Sequence, residues 1–247
     1  MTSYNSLADD FYVNINLNTE MDLPKARDTV LGFFDRVQKS YPEMTNFYGR
    51  ESGDYVLEED KEQGHYRWVS VENRRLCSGC VNPAELDDAF EQHELVLEMA
   101  PYHLSVSSLD CEALDVLFGF DFTYGGNHDE IVAEALGIPK AMEGIFEMPG
   151  ARIINYEPSV TVALDETCRL QSRLSVETRT NAYQMRTGDY HDDQLSVYFT
   201  VRQYWGFGPK TTLIESFVRQ RKVAEELVES HILPGVVRPL AQAISAK

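Results

Sequence analysis

Two pentapeptides carry the residues best suited to chemistry in this chain: Ser70-Val71-Glu72-Asn73-Arg74 and Ser175-Val176-Glu177-Thr178-Arg179. Each sets a hydroxyl, a carboxylate and a guanidinium at alternate positions. On a strand all three would share one face. Such a face can hold a polar ligand through charge-assisted hydrogen bonds. Asn14 and Trp68 fall close to the same faces. The candidate ligand-binding set is therefore Asn14, Trp68, Glu72, Arg74, Glu177 and Arg179. The plainer alternative is a solvated face on which Glu–Arg pairs contribute little.

Other reactive residue types are present in weaker patterns. Cys77-Ser78-Gly79-Cys80 is a lone CxxC with no second ligand pair, since Cys111 and Cys168 stand alone. A structural zinc site needs such a pair, and a redox CxxC opens a helix, whereas this one lies at a strand end. No metal site and no cofactor are expected. His128-Asp129-Glu130 follows Gly125-Gly126-Asn127, where the acidic residues suit the first turn of a helix capped by Asn127. His191-Asp192-Asp193 reads as a solvated turn. No P-loop, GxGxxG, HExxH, GxSxG or EF-hand loop occurs.

The two pentapeptides begin at residues 70 and 175, an offset of 105 that also aligns other elements without gaps. Phe11, Val13, Ile15 and Leu17 alternate with polar residues, and Val116, Phe118, Phe120 and Phe122 repeat the pattern. Asp22, ahead of Pro24, and Asn127 both read as helix caps. Tyr55 and Leu57 correspond to Val160 and Val162, and Asp60 and Asp165 mark turns between strands. The pattern predicts a strand–helix–strand–strand unit present twice, with a first repeat at 1–108 and a second at 109–247 that share a core.

The flanks differ. A helix is predicted from about Pro83 to Met99, a strand from about Gln194 to Trp205, and a turn at Gly206-Phe207-Gly208-Pro209. A long helix should run from about Thr211 to Leu233 and stop at Pro234-Gly235. The aromatic run Tyr198, Phe199, Tyr204, Trp205 and Phe207 suits strand core and turn packing, or a partner surface where exposed.

Alternation leaves one apolar and one polar face per sheet. Asn14, Asn16 and Asn18 face away from the core in the first opening strand, and Gly119, Asp121 and Thr123 do so in the second. The expected class is α+β, with antiparallel sheets covered by helices on one face. Two arrangements of the polar faces are open. They lie in solvent, or the halves set them opposite each other across a cleft, where pockets commonly form.

The chain has 247 residues, of which 43% are hydrophobic and 25% charged, an ordinary globular composition. Its net charge of −18 opposes binding to nucleic acid or to anionic membranes. The basic cluster Arg219, Arg221 and Lys222 is followed at once by Glu225 and Glu226 and reads as a solvated helix face. No apolar run approaches the ~20 residues of a membrane span. The first residues lack the pattern of a signal peptide. Sparse cysteines fit a cytoplasmic setting with reduced thiols.

This order of elements is similar to tandem strand–helix–strand–strand modules such as the GyrI-like ligand-binding proteins. It also resembles fused ferredoxin-like halves, as in dimeric α/β-barrel proteins. The first resemblance implies a non-enzymatic protein holding a small molecule or a protein partner between its halves. The second implies an enzyme, with Glu72 or Glu177 as general base. A third reading is a structural or assembly subunit that uses the aromatic strand and the long helix.

Overall fold

The computed structural model describes residues 3–206 and 211–247, so the expected turn lies outside them from Phe207 onward. Among the described residues, nine strands form one antiparallel sheet. They are β1 (Asp10–Thr19), β2 (Asn46–Gly49), β3 (Tyr55–Glu58), β4 (Tyr66–Val71), β5 (Arg75–Val81), β6 (Cys111–Tyr124), β7 (Ser159–Ala163), β8 (Leu170–Glu177) and β9 (Asp193–Tyr204). Their order across the sheet is β2-β3-β4-β5-β1-β6-β9-β8-β7. The helices are α1 (Arg27–Ser40), α2 (Leu86–His103), α3 (His128–Leu136), α4 (Glu143–Phe146), α5 (Ala182–Thr187), α6 (Leu213–Leu227) and α7 (Arg238–Ser245).

β1 and β6 are the axis of the sheet. They pair antiparallel from Asp10↔Asp121 to Thr19↔Cys111, so the sheet is continuous across the expected boundary near residue 108. Each strand alternates as its sequence requires. Phe11, Val13, Ile15 and Leu17 are fully buried, as are Val116, Phe118 and Phe120 opposite them. Helices α1, α2 and α6 cover this face. Phe90 of α2 packs 6.4 Å from Phe118 and 6.0 Å from Phe217 of α6, which joins the two halves in one core.

Buried polar groups tie helices to the sheet. Gln92 of α2 donates to Trp68 O at 3.2 Å, to Gly79 O at 3.2 Å and to Ser78 Oγ at 2.8 Å. Gln220 of α6 donates to Leu114 O at 2.7 Å and Val201 O at 2.9 Å. Both glutamines are fully buried. The sequence singled out neither, because a glutamine within an apolar helical stripe looks like surface.

Several expectations are corrected. β2 and β5 add to the predicted strand–helix–strand–strand order. β5 is covered on both faces, so its residues show no alternation. Asp22 does not cap α1, which begins at Arg27 after Ala26 without a side-chain cap. Asp22 instead takes Arg74 Nε at 2.8 Å. The second helix begins at Leu86, not Pro83. Pro234-Gly235 does not end the C-terminal helix. The chain widens into a π-helical segment, Val228–Val237, and continues as α7. Wider turns relieve the clash of a proline ring with the preceding turn. Burial of Val228, Ile232, Leu233, Val236 and Val237 holds the segment on the core. Arg221 is not simply solvated. It reaches Asp87 of α2 at 2.8 Å, and its guanidinium lies 4.2 Å from the Phe90 ring centroid. Among the described residues, no helix is long and apolar enough to cross a membrane.

Candidate ligand-binding site

The face of the sheet away from the helices carries the alternate residues of every strand. On β1 these are Asp10, Tyr12, Asn14, Asn16 and Asn18, all half-buried. Their cross-strand partners on β5 include Gly79 and Val81, and on β6 they include Gly119 and Asp121. The two glycines open space in the middle of this face. A Cβ on Gly79 would overlap the indole of Trp68 and the amide oxygen of Asn14. A Cβ on Gly119 would overlap the phenol ring of Tyr12. Both rings therefore rest on bare backbone, as a glycine within a strand permits.

A partly open cavity of about 340 Å³ lies over these rings. Tyr12, Asn14, Tyr66, Trp68 and Val81 supply its strand walls. Arg50, Glu58 and Lys61 close one end, and Asp10, Asp121 and Gln194 the other. Its volume falls at the low end of ordinary small-ligand pockets.

The two ends differ electrostatically. Lys61 Nζ sits 3.0 Å from Glu58 and 5.6 Å from the Tyr66 ring centroid. Burial works against the Lys61 charge, but the Glu58 contacts outweigh it and the pKa rises. At the other end Asp10 and Asp121 stand directly opposite each other on adjacent strands. Like charges in this position repel. Asp10 accepts Asn82 Nδ2 at 2.7 Å, and Asp121 accepts the Tyr12 hydroxyl at 3.3 Å. Neither makes an ion pair among the described residues. Burial raises the Asp121 pKa, against hydrogen bonds from Ser196 and Tyr12 that lower it, with smaller contributions from Asp10, which raises it, and from Arg179, which lowers it. Burial likewise raises the Tyr12 phenol, so it stays a donor. The amide oxygen of Asn14 is buried under Trp68 with no partner among the described residues.

The structure brings Asn14 and Trp68 together in this cavity, sets Glu177 and Arg179 outside its lining but in the row of its acidic end, two strands from Asp121, and carries Glu72 and Arg74 to the opposite end of the sheet. Glu72 and Arg74 lie beyond the end of β4, in the turn closed by Glu72 N to Arg75 O at 2.9 Å. Glu72 pairs with Arg75 at 2.6 Å and accepts Ser70 Oγ at 3.2 Å, while Arg74 is exposed beside Asp22. Both line a shallow, polar cleft with Asn18, Glu20 and Asp54. Glu177 ends β8 and contacts Arg179 at 3.5 Å, with both side chains exposed. β4 and β8 run antiparallel, five strand positions apart, a span of roughly 24 Å at the usual spacing. Their C-terminal ends therefore point to opposite ends of the sheet. The polar faces are neighbouring parts of one surface and do not oppose each other across a cleft.

The remaining sequence motifs have clear places. Cys77 and Cys80 lie within β5, not at its end, and three residues apart on a strand they point to opposite faces. Burial pushes each thiol up to about 12. Asn127 caps α3, accepting from Asp129 N and Glu130 N. Asp129 is more than a cap residue. It is fully buried and accepts Tyr156 N at 2.7 Å and Thr178 Oγ1 at 2.9 Å. Ser78 Oγ lies 2.9 Å from His93 Nδ1, the separation of a nucleophile and its base. Both residues are fully buried and hold helix to sheet, so no substrate reaches them.

No family model matches the chain, and no relative was found among curated proteins.

Proposed function

We propose that this protein is a non-enzymatic binding module whose ligand sits in the cavity over Tyr12, Asn14 and Trp68. The observation that carries this reading is two aromatic rings laid on glycines at the floor of a partly open cavity of about 340 Å³. The six residues first nominated reduce in this reading to Asn14 and Trp68. Glu72, Arg74, Glu177 and Arg179 are then hairpin and strand-end charges.

The reading includes a duplication. The offset of 105 carries β1 into β6, β3 into β7 and β4 into β8. The strand order β3-β4-β5-β1 is mirrored by β7-β8-β9-β6 about the sheet centre. Each repeat would then be a strand, a helix, three strands and a helix, with β2 added in the first and α4 and α5 in the second. A cytoplasmic setting suits the four unpaired cysteines.

The test is a thermal-shift screen of wild type, Trp68→Ala, Arg74→Ala and Arg179→Ala against a metabolite panel. A compound that stabilises wild type and both arginine variants, but not Trp68→Ala, supports the cavity. A compound that fails only with an arginine variant moves the site to that arginine. A screen with no hit removes the small-molecule reading.

A further inference from the structure

We propose that the cavity takes an organic cation, an alkylammonium or guanidinium group, with its charge between Asp10 and Asp121 and its body against Tyr12 and Trp68. The proposal rests on the binding reading above and names its ligand class. The chain already shows this recognition at the opposite end of the same cavity. There the Lys61 ammonium meets the Glu58 carboxylate at 3.0 Å over the ring of Tyr66. The Asp10–Asp121 end repeats the carboxylate and the ring without the ammonium. Tyr12 supplies the ring, lying against Gly119 beside Asp121.

Two carboxylates facing each other across adjacent strands are unfavourable unless a cation lies near them. Among the described residues none makes an ion pair with either, and Arg179, whose charge reaches Asp121, is drawn to Glu177 at 3.5 Å. Arg50, the other cation of the cavity, is drawn towards Glu72 at 3.9 Å. The aromatic walls favour an organic cation, because a ring face attracts ammonium and guanidinium groups while its edge packs their carbon chains. The volume of about 340 Å³ admits one such group with a short chain. The shared chemistry has two sources: a free amine, and a lysine or arginine side chain presented by a peptide.

Calorimetric titration at constant ionic strength tests the assignment. The probes are n-butylammonium, 1-butanol, butanoate, magnesium chloride and the acetylated peptide Gly-Gly-Lys-Gly-Gly, each taken to about 50 mM. The ammonium probes should bind at least about tenfold more tightly than butanol. Asp121→Asn should remove that preference while keeping or raising thermal stability, because it relieves the repulsion from Asp10. Asp10→Asn serves as the second variant. Tighter binding of the peptide than of butylammonium assigns the cation to a protein side chain, and the reverse assigns it to a free amine.

Butanol or butanoate bound as well as butylammonium overturns the cation assignment and leaves the cavity a binding site. Magnesium binding that Asp121→Asn abolishes, with no ammonium binding, also overturns it. No response to either ammonium probe overturns it as well, and the binding reading then stands or falls on the metabolite screen alone.

Discussion

The indole of Trp68 occupies the volume that a side chain at Gly79, its cross-strand neighbour, would need. The ring can lie flat over the sheet only because residue 79 has no Cβ. Gly79→Ala should displace the ring and destabilise the fold by about 1–3 kcal/mol, as overpacking does. In a Trp205→Phe background, Trp68 emission should shift to the red as the ring meets water. An unchanged spectrum with unchanged stability would show that the indole does not depend on the gap.

Gln92 and Gln220 both anchor helices to strand carbonyls, but their oxygens differ. Gln220 Oε1 accepts Ser216 Oγ at 3.1 Å, whereas Gln92 Oε1 is buried without a partner among the described residues. Replacing either by leucine deprives buried acceptors of a donor, at about 1–3 kcal/mol. Gln92→Leu also removes an unmet acceptor, so it should cost less than Gln220→Leu. Urea unfolding of the two variants gives the ranking, and the reverse order would refute it.

His93 should make stability fall with acidity. Burial holds its folded pKa near 3 against an ordinary 6.5. The unfolded chain therefore binds a proton in this window that the folded chain does not. The contribution is complete above pH 6.5 and is lost as pH drops towards 3, at about 1.4 kcal/mol per unit. Between pH 6.5 and 5 most carboxylates contribute little. In that interval the stability of wild type should decline more steeply than that of His93→Gln. Parallel curves would place the ring in contact with solvent.

The four thiols should divide one against three. Cys168 is exposed, while Cys77, Cys80 and Cys111 are buried, with burial pushing each to about 12. A disulfide reagent should modify one thiol in the native protein and the other three only after unfolding. Rapid loss of two or more native thiols would contradict this.

The sequence exposes the fold where one face of an element is buried and the other wet. β1, β6 and β9 are of this kind, and their alternation reads directly from Phe11, Val116 and Leu195 onward. β5 is hidden on both sides, so no period marks it. Asn14 and Trp68 were legible from strand parity. The same parity places Tyr12 beside them, and Gly79 and Gly119 were the unused signal that rings lie there. Glu72 and Arg74 follow the alternation of β4 on paper, but the chain turns after Val71 and carries them out of the sheet. Glu177 and Arg179 lie at the opposite end of the sheet from Glu72 and Arg74, in the row of Asp121 and Asp10, for a geometric reason. Only the order of strands across the sheet fixes which ends meet, and residue spacing does not encode that order.

The most direct test of the account is a ¹H–¹⁵N correlation spectrum of the protein titrated with n-butylammonium. The cavity predicts shifts that cluster at the Trp68 indole N–H and at the amides of Tyr12, Asn14, Val81 and Asp121. Shifts confined to residues 72–75 or 177–179, with the Trp68 indole unmoved, would place binding at the charged turns and contradict the cavity as the site.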